Sequence, residues 1–440
     1  MKTSLSPIRA FAVATGISLL ATSAGSAPIC AQMLQEAELD KKYKRLAPIH
    51  NDADTGWIFG SDQFKGGYEL SSVEQSLMAR IVQEFDARGT TFAMLIAPPR
   101  PVVAGQDIVD QTRADAFDVS AQSASFAEMV KQLRAAGVVM PDLQARAISD
   151  ADIRSSYYFS RDTHWTNTGA AHSALALAEA LDANASPAFD VNELPVVETF
   201  QERGSLADIV RATCDVDPQK EQAPVYDYTA FLPSVGGLLD DVDTENAVVL
   251  AGTSFSDRYK RDQYQSADAI SAALGRPVKN VSVSGGGMLG PLEQYMLSGD
   301  YAAEQPSMIV WEFPYTYQLN EATLRQLLGA LISDSSTSDI ATIALDGGKA
   351  KQKMDNLPSL LGLRAIDGMP EKVSLKLRFP DGETTKLSLK RNRRVLEKTA
   401  LDTWWVDLGE LPKGPFTLEV SVKGGSKVTR MQVLGSQSGA

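Results

Sequence analysis

From about residue 70 the chain alternates between two hydrophobic rhythms. "SSVEQSLMARIVQEFDARG" spaces its apolar residues at helical intervals, opens with Ser71 and Glu74 in the spacing of a capping box, and closes at Gly89. "TTFAMLIAPP" is instead a continuous apolar run stopped by prolines, which reads as a buried strand. Helices then follow at "ASFAEMVKQLRAAG", "TNTGAAHSALALAEALDA" and "SADAISAALG". Strands fall at "VVMPDL", "NAVVLAGTS", "NVSVSGGG" and "SMIVWEF". Continuous apolar strands separated by helices predict an α/β domain whose mostly parallel sheet is covered on both faces. Ligands of such sheets sit beyond the carboxyl ends of the strands. Residues 28–70 and about 186–245 follow neither rhythm and read as insertions.

After about residue 345 the period shortens to two. "KVSLKLRFPDGETTKLSLK" alternates Val373, Leu375, Leu377 and Phe379 on one face, turns at Asp381-Gly382 and alternates again. "FTLEVSVKGGSKVTRMQV" repeats the design around Gly424-Gly425. An antiparallel β-sandwich module is expected there. The organisation read from these patterns is residues 1–27 as a leader, 28–345 as the α/β domain and 346–440 as the β-module.

The leader follows from its own pattern. Lys2 and Arg9 precede the apolar stretch Ala10 to Ala21, and small residues follow to Ala27. That is the layout of a secretory signal peptide, too short to anchor in a bilayer as an ordinary spanning helix. An exported protein is expected. Two cysteines occur, Cys30 and Cys214. Export allows them to pair, whereas cleavage after Ala31 would remove the first and leave the second free. Two cysteines and three scattered histidines assemble no metal cluster, and no cofactor motif is present. The formal net charge is −13, yet residues 351–440 carry 16 Lys and Arg against 10 Asp and Glu. The acidic body argues against nucleic acid as a partner, and the basic module suits a polyanion or simply a solvated lysine surface.

Candidate chemistry begins at "YYFSRDTHWTNTGA", residues 157–170, where Asp162 and His164 stand two apart. In extended chain, residues two apart share a face, so both side chains can enter one cleft. Either they clip a loop together or they form two members of a catalytic triad. A nucleophile for the second reading occurs in "AVVLAGTSFSDRY", where a buried strand ends in Gly252-Thr253-Ser254. A serine just past a parallel strand can stand on a tight turn, with an imidazole as its base and a carboxylate orienting that imidazole. The GxSxG spacing of an α/β-hydrolase elbow is absent. Gly285, Gly286 and Gly287, after another strand end, have backbone N–H groups suited to an oxyanion hole. His172 lies inside an apolar helix and reads as structural, and His50 falls in a loop.

Taken together, Thr55-Gly56-Trp57-Ile58-Phe59, "DTHW" at 162–165, "GTSFS" at 252–256, "SGGG" at 284–287 and "WEFP" at 311–314 resemble the SGNH-type alginate O-acetyltransferases, the AlgX and AlgJ relatives. The C-terminal β-module resembles the carbohydrate-binding module of the AlgX branch. The resemblance implies an SGNH-hydrolase-like fold and a periplasmic enzyme that acetylates an exopolysaccharide during export. It implies Ser254 as nucleophile, His164 as base, Asp162 as its partner, and Cys30 with Cys214 as a disulfide. It lacks the asparagine that other SGNH proteins bring to the oxyanion hole.

The expected partners are an acidic polysaccharide, an acetyl donor delivered by a membrane or periplasmic protein, and other export proteins. Arg258, Trp165, Tyr315, Arg393, Trp404 and Trp405 are the expected substrate contacts, with Lys376, Arg378, Arg391 and Arg394 adding positive charge for uronate carboxylates. Two consecutive residues on a strand face opposite ways, so only one of the two tryptophans is available as a surface platform. The same triad acting on water would be an acetylesterase, and a protein with a decayed triad would be a polysaccharide-binding scaffold.

Overall fold

The computed structural model describes residues 29–51, 54–112, 116–184, 186–233, 247–258, 261–333, 337–398 and 401–436. The expected signal peptide lies outside them. Among the described residues no helix is long and apolar enough to cross a membrane.

Four parallel strands form the central sheet, in the order Thr91–Ala97, Met308–Pro314, Val248–Ala251 and Val278–Asn280. Their unbroken apolar runs have a direct packing reason. Phe92, Met94 and Ile96 enter the core under the helices Ser72–Asp86 and Val119–Ala135, while Ala93, Leu95 and Ala97 enter the one under Asn167–Leu181. Alternate side chains therefore serve opposite faces, and both must be apolar. The Ser71 capping box is formed as expected, and Thr166 caps the helix after the Asp-His segment. "VVMPDL" differs from expectation. It contributes an isolated parallel bridge, Ala93 to Val139, because the helix Leu143–Ile148 begins within four residues.

The second half is a sandwich of two four-stranded antiparallel sheets. One runs Lys349–Met354, Phe416–Lys423, Lys372–Arg378, Thr384–Lys390. The other runs Thr403–Asp407, Leu360–Ala365, Arg430–Ser436, Thr337–Ala344. The strands on either side of Gly424-Gly425 do not form a hairpin. They belong to different sheets, so this turn is a corner of the sandwich.

The two halves are packed together. Gly329, in the helix Glu321–Ile332, sits where a Cβ would lie 2.6 Å from the Val406 backbone nitrogen, so the helix lies directly on the strand Thr403–Asp407. The ion pairs Arg391–Glu293 and Arg80–Asp407, both 2.8 Å, join the halves through buried carboxylates. This arrangement overturns the platform reading of the tryptophans. Trp404 points into the sandwich core beneath the Arg391 guanidinium, and Trp405 lies over Gly362 at the junction with Leu297 and Ile332. Strand alternation does turn them to opposite sides, but the catalytic-side helices cover the second side. Arg391 is likewise consumed by Glu293.

Candidate active site

Ser254, His164 and Asp162 meet at the carboxyl end of the central sheet. Three residues past Ala251, the Ser254 hydroxyl lies 2.7 Å from His164 Nε2. On the other side of the ring, Nδ1 bonds Asp162 Oδ1. With Nδ1–H donating to the carboxylate, Nε2 would be the acceptor for the serine proton, the tautomer that general-base work requires; the Arg258 guanidinium also comes to 2.6 Å from Nδ1.

The segment holding the pair is a bend, not the extended chain expected. The His164 backbone N–H also donates to Asp162 Oδ1 at 2.8 Å, closing a local ring. The loop clip and the triad geometry are thus the same structure. The second carboxylate oxygen accepts the Ser205 N–H at 2.6 Å, at the start of the helix Ser205–Cys214. A helix N-terminus favours a carboxylate. Trp165 is buried and is not part of the lining of the cavity over the serine. Its indole donates to Phe255 O at 2.9 Å, and the Phe255 ring packs 4.7 Å from the imidazole. It ties the His and Ser segments together and is not a substrate contact.

Arg258 is also turned inward. It pairs with Asp162 at 3.3 Å and Glu202 at 3.2 Å, reaches the imidazole, and stacks over Tyr264. Glu202 in turn holds Arg261 and the Tyr264 hydroxyl. These charges set the titration of the pair. Burial opposes ionisation of Asp162, but His164, Arg258 and the Ser205 N–H outweigh it and hold the carboxyl well below the usual range. Burial first, and then Arg258, push His164 below its ordinary value against the pull of Asp162. The imidazole is therefore neutral at pH 7.

A cavity of about 440 Å³ opens over the serine, lined by Ser254, His164, Gly285, Gly287, Tyr315 and Tyr317 among others. Lys42, Arg45 and Lys65, from the stretch 28–70 read as an insertion, line one wall of it. This wall is anchored to the helix Ser205–Cys214 by the disulfide Cys30–Cys214. A second cavity of about 750 Å³ shares Arg45, Gly287 and Tyr317 with the first, adds Gly286, and runs to Lys386 and Lys390 on the sandwich. Tyr315 is 2% exposed and presents no stacking face, whereas Tyr317 is 41% exposed and lines both cavities. Arg393 is exposed and outside both linings, and its neighbour Arg394 donates to Ser284 O at 3.0 Å. His172 is packed in its helix, and His50 sits edge-on to Phe64, away from the serine cavity.

Parallel-sheet topology, a serine on a turn at the strand ends and an Asp-His pair facing it together define an SGNH hydrolase-like protein. Within that class, the chain belongs to the AlgX family: the model for the SGNH hydrolase-like domain of acetyltransferase AlgX matches residues 52–315. The chain is 25% identical over 323 residues to the alginate biosynthesis protein AlgX of Pseudomonas putida, covering 70% of this chain and 65% of that protein. It is 24% identical over 374 residues to AlgX of Pseudomonas aeruginosa, covering 80% and 76%. The solved structure of the Pseudomonas aeruginosa protein superposes with a TM-score of 0.65 over 92% of this chain and 98% of that one, at 17% identity, and so shares the fold.

Proposed function

We propose that this chain is an exported, periplasmic O-acetyltransferase that acetylates an acidic exopolysaccharide through an acetyl-Ser254 intermediate. The observation that carries the reading is the unbroken line Asp162, His164, Ser254 ending at an open cavity. Ser254 Oγ attacks the carbonyl carbon of an acetyl donor while its proton passes to His164 Nε2. The donor's leaving group departs with that proton. A sugar hydroxyl then attacks acetyl-Ser254, gives its proton to His164, and the serine recovers it as the sugar ester leaves. Backbone N–H groups of Ser254, Gly285 and Gly287 are the proposed oxyanion donors, since the Gly286 N–H already donates to Val283 O at 2.8 Å.

The outer face of the sandwich supports an acidic polymer. Lys372 stands opposite both Lys390 and Lys423 in ladder register, and Lys376 stands opposite Lys386 on one side and Glu419 on the other. Like charges directly across a sheet are destabilising unless something anionic lies over them. This face meets the second cavity at Lys386, and that cavity meets the serine cavity at Gly287, giving a chain a connected path, richer in Lys and Arg than in Asp and Glu, to Ser254. A membrane- or periplasm-borne acetyl donor and other export proteins complete the reading as partners. The test is a partition experiment, with p-nitrophenyl acetate as donor and oligouronate as acceptor. Acetyl groups accumulating on the sugar support transfer. Release of free acetate at the same rate with and without sugar would make the protein an esterase, and no turnover at all would leave a binding scaffold.

A further inference from the structure

The strand Met308–Pro314 is buried along its whole length, yet its fifth residue is a glutamate. Glu312 is fully enclosed, and its contacts converge on the turn that carries Ser254. The Thr253 N–H donates to Oε2 at 2.8 Å, and the Thr253 hydroxyl donates to Oε1 at 3.0 Å. That hydroxyl in turn accepts the Phe255 N–H at 3.3 Å. Gly252 completes the arrangement. A Cβ there would lie 2.9 Å from the Glu312 Cβ and nearer still to its carboxyl, so only glycine lets the carboxyl pass beneath the turn. The strands are in register here, Ala251 beside Trp311, so the glutamate projects from the neighbouring strand of the same rigid sheet.

Enclosing a carboxyl is costly unless its oxygens are hydrogen-bonded, and an apolar residue would fill the strand without that cost. Burial pushes the Glu312 pKa up to about 7, against the pull of its Thr253 bonds. A carboxylate offers what the turn needs, two acceptor oxygens for two donors of one residue. A glutamine offers one oxygen and one donating amide.

We infer that Glu312 is a positioning residue for the nucleophile: by holding Gly252, Thr253 and Phe255 on either side of Ser254, it keeps the serine hydroxyl aimed at His164 Nε2. It touches no reacting atom. The inference rests on the reading of Ser254 as the nucleophile.

The experiment measures the first-order rate of Ser254 acetylation by p-nitrophenyl acetate at about pH 8, where the Glu312 carboxyl is ionised. Glu312→Gln, Thr253→Val and the double variant are compared with wild type, each with its thermal midpoint. Glu312→Gln is expected to slow acetylation about ten- to hundred-fold with KM for the ester within about two-fold, because a misplaced nucleophile loses rate and not ground-state binding. Thr253→Val, which keeps the shape and removes one donor, is expected to slow it about five-fold. The double variant should be no slower than Glu312→Gln, since both remove one shared interaction. A folded Glu312→Gln protein that acetylates at the wild-type rate would overturn the inference, as would losses that multiply. If Glu312→Gln fails to fold, a Thr253→Val rate equal to wild type overturns it. Acetylation in wild type and not in Ser254→Ala isolates this failure from that of the nucleophile reading. No acetylation in wild type overturns both.

Discussion

Two buried clusters of charge in this molecule use the same residue types and do different things. At the junction of the halves, Glu293 takes the Arg391 guanidinium through two donors, at 2.8 and 2.9 Å, and the Gln326 amide at 2.9 Å. The remaining Arg391 donors end on the carbonyls of Leu401 and Thr403. Arg391 and Gln326 also border the second cavity, but among the described residues no imidazole or hydroxyl follows them. In the cleft, Asp162 is as deeply buried as Glu293, and Arg258 and Glu202 surround it. Its path runs on through an imidazole to a hydroxyl at the edge of a cavity. Burial and ion pairing are common to both clusters, so neither identifies a reactive site. What separates them is an imidazole placed between the buried carboxylate and a serine hydroxyl that faces a cavity.

That comparison can be broken in four ways, taken from the largest effect. His164→Ala should slow the release of p-nitrophenol by at least about 10³-fold with no loss of fold, read as the burst of an ester assay. Glu293→Ala should instead act on stability, costing about 3–5 kcal/mol in urea unfolding, because Arg391 is left charged and enclosed. If Glu293→Ala spared stability, the junction cluster would not be structural. Lys372→Glu with Lys376→Glu should weaken oligouronate binding about ten-fold at low salt, and less as salt rises, measured by calorimetry. The smallest effect is on pH. His164 works as a neutral base with a pKa lowered from 6.5, so the rate should hold above 6.5 and fall as pH drops below it. Arg258→Gln removes a positive charge that disfavours the imidazolium, and should move that acid limb upward.

Much of the cleft was legible in the chain because its chemistry is concentrated in short stretches. Asp162 and His164 are near neighbours, and Ser254 follows a strand whose apolar run is plain. Glu202 and Ser205 were not: the stretch read as an irregular insertion in fact holds the strand Val196–Glu202 and the helix Ser205–Cys214, and only folding brings the Ser205 N–H to Asp162. Glu312 left a faint signal, an acid inside an otherwise apolar strand, whose meaning depends on which strand lies beside it. Trp404 and Trp405 misled for a related reason. Strand alternation says which side a residue faces, and says nothing of what covers that side. The corner at Gly424-Gly425 carries the same glycine signal as a hairpin, and the choice between them is made by sheet packing.

The central claim is that Ser254 carries the acetyl group. Intact-mass spectrometry of the purified protein after exposure to p-nitrophenyl acetate, wild type beside Ser254→Ala, tests it most directly. One acetyl adduct on wild type, absent from the variant and lost faster when oligouronate is added, is the predicted result. Equal labelling of the two proteins would contradict the account.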